Sequence, residues 1–131
     1  MLQSGPSVPL WGVCILVVTM TLKHFIADFI LQTNWIAHGK ERRDGWFAPL
    51  AVHVLCHAVL TLGIVLCVAP RLWWLAIADL FVHAGIDRCK SLTARWGAWS
   101  PQQIQFWWLM GFDQFLHQIT NLAIVVALLT L

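Results

Sequence analysis

Four apolar stretches, each long enough to cross a lipid bilayer, dominate this 131-residue chain and leave few folds open to it. They run over about residues 9–35, 47–69, 72–92 and 104–131. A hydrocarbon core of about 30 Å takes about 20 helical residues to cross. In lipid every backbone polar group needs an internal partner, so only helices and closed barrels span it. These runs lack the alternation of barrel strands. The expected fold is therefore all-α: a polytopic membrane protein, a bundle of four transmembrane helices forming a single domain over residues 1–131. Composition agrees, with 60% hydrophobic and only 11% charged residues, against roughly 25% charged in a soluble domain.

The connections set the expected orientation. Residues 36–46 contain Lys40, Glu41, Arg42, Arg43 and Asp44, whereas the second connection is little more than Pro70 and Arg71. The third, residues 93–103, holds Arg95 and follows Arg88 and Lys90. Six of the eight basic residues thus flank the first and third connections. The positive-inside rule places both in the cytoplasm and both termini outside. Trp11, Trp35, Trp46, Trp73, Trp74, Trp107 and Trp108 sit near expected helix ends, the depth that amphipathic rings prefer. Membrane lipids are the expected partners. A net charge of +2 with no basic, aromatic-interleaved face gives no reason to expect nucleic acid. Cys14, Cys56, Cys67 and Cys89 form no C-x-x-C pair and read as small apolar residues rather than disulfides. The first 22 residues lack Lys and Arg, so no cleavable signal peptide is expected.

Each apolar run carries two His or Asp residues four positions apart: His24 and Asp28, His53 and His57, His83 and Asp87, Asp113 and His117. Residues at this spacing share a helix face one turn apart. Counted from the expected cytoplasmic ends, all eight lie about 4 to 12 positions in, or roughly 6 to 18 Å deep at 1.5 Å per residue. They sort into two layers, with Asp28, His53, Asp87 and Asp113 nearer the cytoplasm and His24, His57, His83 and His117 deeper.

A charged aspartate at the bilayer centre costs about 2.5 to 3.5 kcal/mol. These carboxylates must therefore be paired, protonated or bound to a cation. Imidazole nitrogen and carboxylate oxygen together suit a divalent transition metal, whether zinc, manganese or iron, and bundles build such sites from facing helices. Eight candidate ligands suffice for one or two ions. The expectation is a metal centre, and the leading function is a metal-dependent hydrolase acting on a lipid-linked, phosphorylated substrate at the cytoplasmic leaflet. The same groups also suit a proton or divalent-metal transporter or channel, formed by a homo-oligomer around a path. A non-enzymatic membrane module with a structural metal or polar core is the third reading.

Further residues take expected supporting roles. Asp79, one turn before His83, or an unliganded member of the set is a candidate general base. Lys23, unusual at its depth, snorkels, pairs with an aspartate or binds a substrate anion. Arg88 and Lys90 form a candidate phosphate clamp, or simply a topological collar with Lys40, Arg42 and Arg43. Gln32, Gln114 and Gln118 stand within a turn of a pair and can orient ligands. His38, among charged residues, reads as solvated.

The stretch Lys23-His24-Phe25-Ile26-Ala27-Asp28-Phe29-Ile30-Leu31-Gln32-Thr33 resembles the opening signature of a family of small bacterial and phage membrane proteins known only as a domain of unknown function. His53-x-x-x-His57, His83-x-x-x-Asp87 with Lys90, and Asp113-Gln114-x-x-His117 are similar to its later motifs, in the same order. The third motif reads His83-Ala-Gly-Ile-Asp87-Arg-Cys, less bulky than the aromatic-rich version usual in the family. The resemblance implies an integral membrane protein and little more; the expected location is the bacterial inner membrane. More distantly, the chain looks like proteins labelled membrane-bound metal-dependent hydrolases.

Overall fold

A computed structural model describes residues 8–131. The chain is all-helical: α1 is Leu10–Phe25, α2 Asn34–Gly39, α3 Phe47–Val68, α4 Trp74–Trp96 and α5 Ile104–Thr130. Helices α1, α3, α4 and α5 form a bundle. Three stretches, Leu10–Ile30, Phe47–Val68 and Ile104–Thr130, are long and apolar enough to cross a membrane. The fourth expected span is α4. Composition does not single it out, because it carries Asp79, Asp87, Arg88, Lys90 and Arg95. Its geometry does. Thr61 meets Asp79, His57 meets His83 and His53 meets Asp87, so α4 runs antiparallel along α3. Whatever slab α3 crosses, α4 recrosses. The tight turn between them is a single 3-10 turn at Pro70–Leu72.

The bundle is apolar outside and polar at one end inside. Phe25, Phe29, Leu55, Val59, Phe81, Phe112 and Phe115 are exposed, whereas the histidines and aspartates of the four pairs are buried apart from half-buried Asp28. That inversion is what a lipid solvent demands. The buried faces step by one turn: His53, His57, Thr61 and Val65 on α3; Asp87, His83, Asp79 and Leu75 on α4; Asp113, His117, Asn121 and Val125 on α5. The interior therefore changes from a His/Asp half to an apolar half, where Met20, Val65, Leu72, Leu75, Ile124, Val125 and Leu128 pack together.

Two departures from the expected helix limits matter for the site. The first run does not continue as one helix to residue 35. It ends in a π-turn, Ile26–Ile30, in which the Leu31 N–H donates to the Ile26 carbonyl at 2.9 Å. The chain then breaks and restarts as α2, where the Thr33 hydroxyl accepts from the Ile36 N–H at 3.4 Å, an N-cap bond. Helix α2 folds back onto α3. A Cβ at Gly39 would come within 2.8 Å of Pro49 Cβ, so glycine permits the close approach. At the other end of the site α4 extends past residue 92 to Trp96, shortening the third connection, and Arg95 donates to the Glu41 carbonyl at 3.0 Å.

Candidate metal centre

The four helices bring all eight paired residues to one place. In the deeper layer the rings of His57 and His83 have centroids 3.8 Å apart, and those of His83 and His117 4.0 Å. His24 completes the layer at 5.3 Å from both His57 and His117. His53 stands one turn nearer the α3 N-terminus, with its ring 4.8 Å from that of His57. The carboxylates of Asp28, Asp87 and Asp113 surround this upper layer.

Asp28 is seated by the π-turn and gathers three rings. Its carboxylate accepts from His57 Nε2 at 2.9 Å, lies 3.1 Å from His24 Nε2 and 3.4 Å from His53 Nε2. π-turns inside helices recur at functional sites, where they re-aim a side chain. Asp87 plays the matching part from α4. It accepts from His117 Nε2 at 3.2 Å and lies 3.4 Å from His53 Nε2. His53 Nε2 is thus poised equally between two carboxylates and hydrogen-bonded to neither. Buried His83 Nε2 likewise has no hydrogen-bond partner among the described residues. A buried polar atom left in this way costs about 1–3 kcal/mol unless something else satisfies it.

These atoms fit an ion. Asp28, His53, His57 and His83 can each offer one ligand atom within 4.8 Å of the others, and so can His83, Asp87 and His117. Ligands on a tetrahedral ion at ~2.0–2.1 Å stand about 3.3–3.4 Å apart. Within the first group the Asp28–His53 edge of 3.4 Å already matches that spacing and the Asp28–His57 edge of 2.9 Å is shorter; in the second the His117–Asp87 edge of 3.2 Å is close to it. The buried His/Asp groups could therefore hold a metal ion. His24 and Asp113, also expected as ligands, fall outside both groups. Gln114 links them: its Oε1 lies 3.3 Å from His24 Nε2, and its Nε2 donates to Asp113 at 3.2 Å. Asp113 Oδ1, 3.5 Å from His117 Nε2, has no hydrogen-bond partner among the described residues.

Lys23 and Asp79, expected as chemical groups, bind each other. Lys23 Nζ lies 3.0 Å from Asp79 Oδ2, and both side chains are almost wholly buried. The Thr61 hydroxyl donates to the same oxygen at 2.6 Å. Thr61 and Asp79 stand one turn beyond His57 and His83, so this set forms a third polar layer beneath the rings. Arg88 and Lys90, expected to act as one clamp, line different hollows. Lys90 pairs with Glu41 at 2.9 Å beside the site, whereas Arg88 lies over the Trp46 ring in the α3–α4 groove.

Sequence reasoning missed Lys40 as a site residue. It is buried, and its Nζ donates to Asp87 Oδ2 at 2.8 Å. In sequence it is one charge among several in a connecting loop. Only the fold-back of α2 carries it inward, and no local pattern signals that. Thr61 was missed too, although its spacing one turn after His57 was a usable signal.

A cavity of about 240 Å³ opens beside the centre. Asp28, Asp87 and Asp113 line it together with Lys40, Glu41, Lys90 and Gln32. The Gln32 Oε1 is buried without a partner among the described residues. Gln118 stands half-buried beside His117.

No curated protein and no solved structure matches the chain. A family model described as a protein of unknown function, DUF3307, matches residues 16–131. That match takes in all four His/Asp pairs, and the chain belongs to this family.

Proposed function

We propose that the protein is an intramembrane metal-binding hydrolase, working from the cytoplasmic leaflet on a lipid-linked, phosphorylated substrate. The observation that carries the metal reading is the pair of ligand groups meeting at His83. Zinc, manganese and iron all suit mixed nitrogen and oxygen ligands. Sharing His83 makes the two groups alternatives for one ion, unless the ring serves two.

The hydrolase reading is supported by the cavity. A purely structural metal is usually enclosed by four protein ligands, whereas a catalytic one keeps a position open. Here three carboxylates of the cluster face open space large enough for a phosphate group. A metal bound there would acidify a water molecule and polarise a phosphoryl oxygen. Asp113, outside both ligand groups and lining the cavity, would accept a proton from that water. Lys90, in the same lining, would hold the anionic group once turned from Glu41. Lys23 and Asp79 would hold the histidine layer from below rather than touch substrate.

The orientation belongs to this proposal. The basic residues Lys40, Arg42, Arg43, Lys90 and Arg95 cluster at the cavity end, which would face the cytoplasm with both termini outside. A proton or metal path is the weaker reading, because the polar column stops at the apolar half of the bundle around Val65, Leu75 and Val125.

The test is turnover of a panel of phosphorylated lipids by metal-loaded protein. Asp113→Asn should retain metal and lose at least about 100-fold in rate, the scale of a general base. Equal rates for the variant and the wild type would remove Asp113 from the mechanism. No turnover of any lipid by wild type holding metal would remove the hydrolase reading.

A further inference from the structure

The outer face of the α3–α4 pair carries a groove of about 490 Å³ that the metal centre does not use. Its walls are apolar, with Phe47, Leu50, Val54 and Leu55 on one side and Leu80 and Phe81 on the other. Its depth comes from Ala51, Ala84 and Gly85, small residues where the helices face each other. At Gly85 a Cβ would meet nothing within 4 Å. From Arg88 to Leu80 is eight residues of α4, so the groove runs about 12 Å along the helix. A second hollow, lined by Ala58, Leu62, Trp73 and Ala76, continues the same seam beyond Leu80.

One end of this groove is charged. Arg88 places its guanidinium carbon 3.9 Å from the centroid of the Trp46 ring. Its Nη1 is buried and has no hydrogen-bond partner among the described residues. The other half-buried or buried cations all have carboxylate partners: Lys23 with Asp79, Lys40 with Asp87, and Lys90 with Glu41. Arg88 has the face of a ring and no carboxylate partner among the described residues, at the end of the bundle where Trp46 marks the membrane boundary.

We infer that this groove is a binding site for one anionic phospholipid, its phosphate on Arg88 and one acyl chain along α3 and α4. The chemistry is complementary at both ends. The apolar seam matches a hydrocarbon chain, and the guanidinium at its end supplies a positive charge that no carboxylate among the described residues offsets, the complement of a phosphate. Trp46 fixes the guanidinium plane by cation–π contact, so the donor is set before the lipid arrives. Basic pockets between membrane helices are known to select acidic headgroups in this way. The site is separate from the metal centre, since Asp87 faces the bundle interior and Arg88 its outer face. It stands whether or not the protein hydrolyses anything.

The experiment is native mass spectrometry of the full-length protein released from bilayers of equal phosphatidylglycerol and phosphatidylcholine, for wild type, Arg88→Gln and Gly85→Leu, with metal content measured alongside. Wild type should retain one phosphatidylglycerol with about five-fold preference, the scale of one basic residue at the membrane surface. Arg88→Gln should bring the preference to parity. Gly85→Leu, which fills the groove and leaves Arg88 in place, should reduce retention of either lipid. Metal content should be unchanged in both variants. Equal retention of the two lipids by wild type would overturn the inference, as would an undiminished preference in Arg88→Gln. A lipid-free wild-type dimer that Gly85→Leu converts to monomer would also overturn it, by assigning the groove to a second copy of the chain.

Discussion

The rings of His57 on α3 and His83 on α4 stand 3.8 Å apart at the centre of the bundle. Two polar rings pressed together between lipid-facing helices have no reason to persist as packing alone, because Leu or Phe would fill the space without polar atoms to satisfy. Their ring nitrogens, with those of His53 and His117, sit among carboxylates that are themselves costly in lipid. A cation at this point answers both demands at once.

Asp28 gathers His24, His53 and His57 from two helices. Asp28→Asn keeps the shape and removes the charge. It should weaken metal binding by at least about 10-fold, the lower end for perturbing a metal site's carboxylate, read by competition with a chelator. An unchanged affinity would take Asp28 out of the centre.

Lys23 and Asp79 form a buried pair that Thr61 completes. Removing one partner leaves an uncompensated charge, so Lys23→Met should destabilise by about 3–5 kcal/mol. The double variant Lys23→Met/Asp79→Leu should recover most of that loss, since two apolar groups replace the pair. Thermal unfolding in detergent measures both. A double variant no more stable than Lys23→Met would mean the pair carries more than its own charge balance.

Lys40 places an ammonium on Asp87 Oδ2 at 2.8 Å, on an oxygen that also faces His53. An ion bound through Asp87 competes with this ammonium. Lys40→Met should therefore tighten metal binding, measurably within the 10-fold range that one such charge-assisted contact represents. Weaker binding in the variant would instead make Lys40 a support for the ligand set.

Orientation is testable by side-specific labelling. In a background lacking Cys14, Cys56, Cys67 and Cys89, a cysteine replacing Asp44 should react with an impermeant maleimide only after the inner membrane is opened. One replacing Thr130 should react in intact spheroplasts. The reverse pattern would put the cavity outside and exclude a cytoplasmic-leaflet substrate.

Much of the architecture was legible because lipid is an unforgiving solvent. Apolar runs and polar pairs at one helical spacing, counted from the basic loops, put His24, His57, His83 and His117 in one layer on sequence grounds alone. What escaped was tertiary. The π-turn that seats Asp28 has no marker in Ile26–Ile30, whose residues suit an α-helix equally well. Lys40 reads as loop charge until α2 folds back, a move that depends on Gly39 meeting Pro49. Arg88 and Lys90 are two residues apart, which on a helix means different faces, so their separation was available from spacing and outweighs their shared charge. Composition alone also fails for α4, because its charges are counted without regard to which face carries them.

The most direct test of the central claim is elemental analysis of purified, bilayer-embedded protein, wild type beside His83→Ala and Asp28→Asn. His83 is the residue the two ligand groups share. The account predicts one or two equivalents of zinc, manganese or iron in the wild type, no metal in His83→Ala and a reduced content in Asp28→Asn, with all three proteins still helical. A wild type that takes up none of these metals after reconstitution would contradict it, and so would a folded His83→Ala that holds as much metal as the wild type.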